Sequence, residues 1–321
     1  ETPSIAIIPF KNKGADEDVF YAYGISADLI SDCSNAGLIQ VSSLSDIEKL
    51  DYMNLNNTEI SEKLSVRYIS QGALWKMGNM FQLSIELYDT EDSKVIWSDR
   101  WQENWENLPT IKGNLSDGLL KTLDTKPKIV QKIETTNSRA YEFYLKAKHK
   151  YEKRLNIDDA KTARDLLEKA IKLDNNLIRA KNYLGWTYSQ TGEYKKSMDI
   201  YISALDQAKE LDDKHEIGAS LNNIGGIYWY KGNYDKAFDY YSKSFSIANE
   251  LGNQSVMGKS IYSLGVIYWI KGDFDKALNN FNNSLGIAKE LNDKSEMGKS
   301  YNRIGVIYGD KGDYNKALKY F

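Results

Sequence analysis

One pattern recurs every 40 residues through the second half of this chain, and a chain with such a period has few ways to fold. The segments starting at Leu221, Ile261 and Tyr301 read LNNIGGIYWYKGNYDKAFDYY, IYSLGVIYWIKGDFDKALNNF and YNRIGVIYGDKGDYNKALKYF. Gly225, Gly265 and Gly305 stand in register, as do Tyr228, Tyr268 and Tyr308. So do Gly232, Gly272 and Gly312, and Ala237, Ala277 and Ala317. One period upstream, Gly185, Tyr188, Gly192 and Tyr201 repeat the spacing, with Ser197 in place of the alanine. A fifth, weaker copy precedes it as YLKAKHKY and ARDLLEKAIKLDNN. A period of roughly 20 to 50 residues implies a stacked array, in which each unit buries its apolar face against its neighbours.

Within a unit the pattern is that of two helices. Tyr234, Ala237, Phe238, Tyr241, Phe245 and Ala248 fall at helical spacing and form one apolar stripe. Lys231-Gly232-Asn233 separates that stripe from the one before it. Glycine allows the positive φ that ends a helix, and Asn233 or Asp273 can cap the next. Small residues at Gly225 and Ala237 let paired helices approach closely, and Tyr228 and Tyr241 fill the space beside them.

These residues resemble the tetratricopeptide repeat, with its Leu-Gly-x-x-Tyr pattern followed by Gly, Ala and Phe/Tyr at fixed offsets. The usual unit is about 34 residues. The longer unit here, with tails such as IANELGNQ and IAKELNDK, resembles the G-protein-modulator proteins of the Leu-Gly-Asn type. Gly226, Val266 and Val306 stand where that family has Asn, so its partner is not carried over. The resemblance covers roughly 140–321 and implies a solenoid whose first helices line a concave, peptide-binding groove. Counting from the Leu-Gly pair, the groove candidates are Asn182, Trp186, Asn222, Trp229, Tyr230, Tyr262, Trp269 and Asn302, with Ile270 beside them. Asn can hydrogen-bond an extended backbone, and aromatic rings can bury its side chains. The tryptophans can equally pack between repeats.

The first 124 residues read as a different module. SIAIIPF at Ser4–Phe10 is a buried-strand pattern, and Val19, Tyr23, Ala27, Ile30 and Cys33 follow at helical spacing. A second strand is expected at Leu38–Val41 and a short helix around Ile60 and Leu64. Val66–Trp75, the alternating Phe81, Leu83, Ile85 and Leu87, and Lys94–Trp101 read as three strands separated by turns. Leu108, Ile111, Leu115, Leu119 and Leu123 mark a closing helix. The expected fold is thus an α+β domain, a mixed sheet with helices, followed by an all-α solenoid of about five repeats over 139–321. Residues 125–138, which include Pro127, are expected to link the two, with Asn137 or Ser138 capping the first solenoid helix.

The first module resembles the TolB amino-terminal-like domain, related to the FlgO domain of the flagellar outer-membrane protein. SIAIIPF, YGISADLI, LSVRYISQGAL and FQLSIELYDTEDSKVIWSDRW carry the resemblance. It implies the regulatory region of a bacterial signalling protein. The output domain would be a class III nucleotidyl cyclase, a Ser/Thr kinase or a winged-helix DNA-binding domain placed before Glu1. An envelope scaffold is the rival.

No catalytic constellation accompanies these modules. The two histidines, His149 and His215, lack ligand partners at metal spacing and read as surface helix residues. Cys33 is the single cysteine, which rules out an intrachain disulfide, and it reads as a small core hydrophobe. The repeated glycines follow no strand and precede no Gly-Lys-Ser/Thr, so they are not a phosphate loop. The acidic turn Asp89–Asp92 reads as a solvated hairpin. A net charge of −3 gives no footprint for nucleic acid. No apolar run reaches the roughly 18 to 20 residues of a membrane span. The expectation is a non-enzymatic interaction region with no cofactor or metal. Its partner would be a protein or peptide in the groove, with self-association also possible. A cytoplasmic location is expected, or a periplasmic one if a span or signal lies upstream. Glu1 opens without Met and Phe321 falls inside a repeat, so both ends are read as continuing. Further repeats or a self-contact would then cover the last helix.

Overall fold

A computed structural model describes residues 2–36, 39–125 and 135–321. The chain divides into two compact units, Glu1–Gly192 and Glu193–Phe321.

The first unit opens with the sheet. Strands β1 (Ser4–Ile7), β2 (Lys11–Asn12), β3 (Gln40–Val41), β4 (Tyr68–Met77), β5 (Met80–Asp89) and β6 (Lys94–Asn104) form it. The order is β3-β1-β4-β5-β6, with β2 also beside β4. β1 runs parallel to β3 and β4, and β4-β5-β6 is an antiparallel meander. The sheet is therefore mixed. The alternation read in the sequence is borne out: Phe81, Leu83, Ile85 and Leu87 are buried on one face of β5. Opposite them on β6, Trp101 pairs with Leu83 and Trp97 with Leu87. The expected second strand is confined to Gln40–Val41; Leu38 lies outside the described residues.

Helices α1 (Val19–Ala36), α2 (Leu44–Glu48), α3 (Asn57–Leu64) and α4 (Leu108–Thr122) complete the α+β part. A capping box fixes the start of α3, where Asn56 accepts from the Glu59 amide and Glu59 answers on the Asn56 amide. The stripe read on α1 needs correction. Val19 is 44% exposed, whereas Asp28 and Asp32, off that stripe, are 1% exposed. The helix is covered on both sides because α5 (Ser138–Glu152) packs on the face turned away from the sheet. Gly24 makes that approach possible: a Cβ there would lie 2.7 Å from Leu145 Cδ2.

α6 (Ile157–Leu173) and α7 (Ile178–Ser189) end the first unit. Asn137 caps α5 by accepting from the Ala140 amide at 3.0 Å, as the sequence suggested. The linker expected at 125–138 falls largely on 126–134, outside the described residues.

The second unit is all helix: α8 (Tyr194–Glu210), α9 (Lys214–Tyr230), α10 (Tyr234–Leu251), α11 (Gln254–Ile270), α12 (Phe274–Glu290), α13 (Lys294–Asp310) and α14 (Tyr314–Tyr320). The turns after α9 and α11 use a left-handed glycine, with φ of +72° at Gly232 and +78° at Gly272, whereas those after α8 and α12 place Asp212 and Asn292 in that region. Asn233 and Asp273 then cap the next helix by accepting from Lys236 and Lys276 amides. Gly265 lies under the Phe281 ring, where a Cβ would sit 2.9 Å from Cε1.

The extended helix ends are joined by buried hydroxyls. Ser260 donates to Ser244, which donates to the Gly218 carbonyl; Ser300, Ser284 and Gly258 repeat the relay 40 residues on. Outside, Lys271 pairs with Asp235 and Lys311 with Asp275, again one period apart. On α14 Tyr314 and Leu318 are exposed, as is Phe321 just after it.

Candidate peptide-binding groove

In the second unit α9, α11 and α13 touch in succession and form a continuous layer. Six of the candidate groove residues lie on it. Trp229 and Tyr230 end α9, their rings edge to face at 4.9 Å. Tyr230 is 52% exposed and stacks on Tyr194 at 5.1 Å. Trp229 is half-buried against Ala237, Tyr241, Leu264 and Ile267, so it serves the inter-repeat core as well. Its indole Nε1 and the Oδ1 of Asn222, two turns earlier on the same helix, are buried and have no hydrogen-bond partner among the described residues.

Tyr262 and Trp269 come together through a residue that the sequence reading missed. Arg303 on α13 donates from Nε to the Tyr262 hydroxyl at 3.2 Å, and its guanidinium lies 5.2 Å from the centre of the Trp269 ring. Trp269 Nε1 donates to Asp310 Oδ2 at 2.8 Å. The signal was available as an offset of one period plus one residue, Tyr262 to Arg303 and Trp269 to Asp310. Asn302 is exposed on α13, and Ile270 is 36% exposed at the end of α11.

Asn182 and Trp186 sit on α7, in the first unit. Trp186 is 37% exposed and packs on Tyr151 and Tyr183, with ring centres 5.2 and 5.3 Å away.

The first unit carries a second concentration of polar groups, and it is buried. Asp28 accepts from the Tyr141 hydroxyl at 2.7 Å and from Lys148 Nζ at 3.0 Å. Asp32 accepts from Ser116 at 2.9 Å, lies 2.5 Å from Lys112 Nζ, and faces the Arg179 guanidinium at 3.0 Å. Burial pushes the Asp32 carboxyl up, but Lys112 and Arg179 outweigh that and hold it at about 2. Four helices thus meet at two carboxylates of α1.

Other readings shift. His149 is half-buried against Tyr23 rather than on an open surface, and burial lowers its pKa. Asp89 is not solvated: it is 3% exposed and gripped by Arg67 Nη2 at 2.7 Å. Cys33 is fully buried, as expected. Among the described residues, no helix is long and apolar enough to cross a membrane.

Residues 176–250 and 258–321 match the tetratricopeptide repeat family. Residues 1–117 match the second domain of the HilA/YgeH-like transcriptional regulators. The "Putative adenylate cyclase 3" of Rhizobium meliloti (strain 1021) is 24% identical over 125 residues. That stretch is 39% of this chain and 21% of the cyclase, so the chain spans about a fifth of that relative. BtubC from P. vanneervenii shares 19% identity over 56% of this chain and 76% of its own, with a TM-score of 0.49. A Rap protein complexed with Competence and Sporulation Factor shares 17% over 65% of this chain and 57% of its own, also at 0.49. MamA shares 22% over 55% and 90%, at 0.40.

Proposed function

We propose that this chain is the non-catalytic, protein-binding regulatory region of a multidomain bacterial signalling protein whose output domain is a class III nucleotidyl cyclase. The tetratricopeptide solenoid supplies a peptide- or protein-binding groove. The α+β domain, over residues 1–124 and of TolB amino-terminal-like type, is the sensing or docking module. The carrying observation is the α9–α11–α13 layer, where the exposed Tyr230, Ile270 and Asn302 stand beside the half-buried Trp229, Tyr262 and Trp269. The similarity to a putative adenylate cyclase supports the choice of output. Binding energy would be spent on changing the position or assembly state of that output domain, in the cytoplasm.

A second reading makes the output a DNA-binding domain, and the match of residues 1–117 to a transcriptional regulator's domain favours it. A photo-crosslinking residue at position 230 of the intact protein tests the groove in cells. The partner trapped there should be absent when the probe sits at position 235, should lose binding to Trp229→Ala, and should alter cyclase output. Equal trapping at both positions would refute the groove. Altered transcription with unaltered cyclase output would select the second reading.

A further inference from the structure

We infer that Arg303 is a fixed anchor for an acidic side chain of the bound peptide, an assignment that rests on the peptide-groove reading. Arginine carries five N–H donors in a planar fork matched to a carboxylate. Here one donor, Nε, is used on Tyr262. The guanidinium lies over the Trp269 ring, and Asp310 holds that ring by its Nε1. Arg303 is therefore held by two side chains of the preceding repeat, one of them fixed in turn by Asp310 of its own helix. The terminal Nη1 and Nη2 groups have no partner among the described residues, and Arg303 is only part-buried.

Such a guanidinium is prepared for two parallel hydrogen bonds to one carboxylate, at little further cost in side-chain order. The charges around it agree. Lys259 stands exposed one turn before Tyr262 on α11, and Lys299 one turn before Arg303 on α13. Lys299 is held by Glu296 at 2.7 Å, so it adds less. Asp310, the acid two turns further along α13, is engaged by Trp269.

Arg303 also breaks the periodicity of the layer. Asn223 and Ser263 occupy its place in the two preceding repeats. The aromatic and Asn positions recur and would accept a sliding peptide in more than one frame. A single guanidinium fixes the frame, because only one alignment satisfies both it and the acid.

The test is selection of peptides from a phage-displayed random 12-mer library against the 1–321 chain. The expected winners carry Asp or Glu at one aligned position. Changing that residue to Gln or Asn, in binding assays on the unaltered protein, should weaken affinity about 10- to 100-fold. Arg303→Met keeps the stem over Trp269 and should cause a similar loss while the far-UV circular dichroism stays that of the folded array. Arg303→Lys, which keeps the charge and loses the fork, should recover only part of it. Winners with no aligned acid, or with affinities indifferent to both Arg303→Met and the peptide change, would overturn the anchor and leave the groove standing. No winner above background would overturn the groove itself.

Discussion

Replacing Asp32 by Asn removes the charge that Lys112, Ser116 and Arg179 converge on while keeping the side chain's shape. Two cations then lose their nearest counter-charge, in a site where Asp32 is 1% exposed, and Asp28 is left to balance them. Removing one partner of a buried ion pair typically costs 3–5 kcal/mol, about what is expected here. The pH dependence gives an independent figure. The folded-state carboxyl lies at about 2 against an ordinary 3.8. A depressed acid contributes stability that is fully present above the ordinary value and lost as pH falls through the folded one. The difference corresponds to roughly 2 kcal/mol, lost between about pH 4 and pH 2. Urea unfolding of the 1–321 chain, followed by far-UV circular dichroism, reads both. At pH 7 the Asp32→Asn variant should be weaker by about 3–5 kcal/mol. The gap from the wild type should narrow as pH falls toward 2. A loss below about 1 kcal/mol, or a gap that stays constant with pH, would refute an Asp32-centred network holding α1, α4 and α7 together.

Gly24→Ala should destabilise the first unit by about 1–3 kcal/mol, since its Cβ would meet the Leu145 side chain; a thermal melt no lower than wild type would contradict the close α1–α5 contact. Ser284→Ala leaves the Gly258 carbonyl without its side-chain donor and the Ser300 hydroxyl without its acceptor. A loss of about 1 kcal/mol is expected, with faster hydrogen exchange confined to α11–α13. The Cys33 thiol is pushed up by burial, with Asp32 adding to the shift. Its alkylation by iodoacetamide at pH 8 should therefore track global unfolding, and rapid labelling of the native protein would be the contrary result.

The repeats were legible because each turn is written in local chemistry. A left-handed glycine, a capping Asn or Asp and a small residue under an aromatic ring recur at fixed spacing, and each acts within a few residues of itself. The hairpins of β4–β5–β6 were legible for the same reason, from alternation and short turns. The buried charge centre was not. Asp28 and Asp32, one turn apart on α1, look like a solvated face until α5 is laid on them. Their partners Tyr141, Lys148 and Arg179 lie 113, 120 and 147 residues away. The candidate groove was half legible. Its aromatic and Asn positions follow from the period, but Arg303 acts on the neighbouring repeat at a position that Asn223 and Ser263 fill elsewhere.

The hydroxyl relay from Ser260 through Ser244 to the Gly218 carbonyl, and its copy at Ser300, Ser284 and Gly258, bears on how such a chain can change over generations. At these two seams a unit presents to its successor the same acceptor that its predecessor presented to it, whereas Ala204 stands at that place one repeat earlier. A duplicated or deleted block of one period therefore meets a matching seam, with buried donors and acceptors paired on both sides. Recombination at these two seams would lengthen or shorten the array while keeping the relay paired. The length of such an array is then open to selection independently of the residues that line its surface.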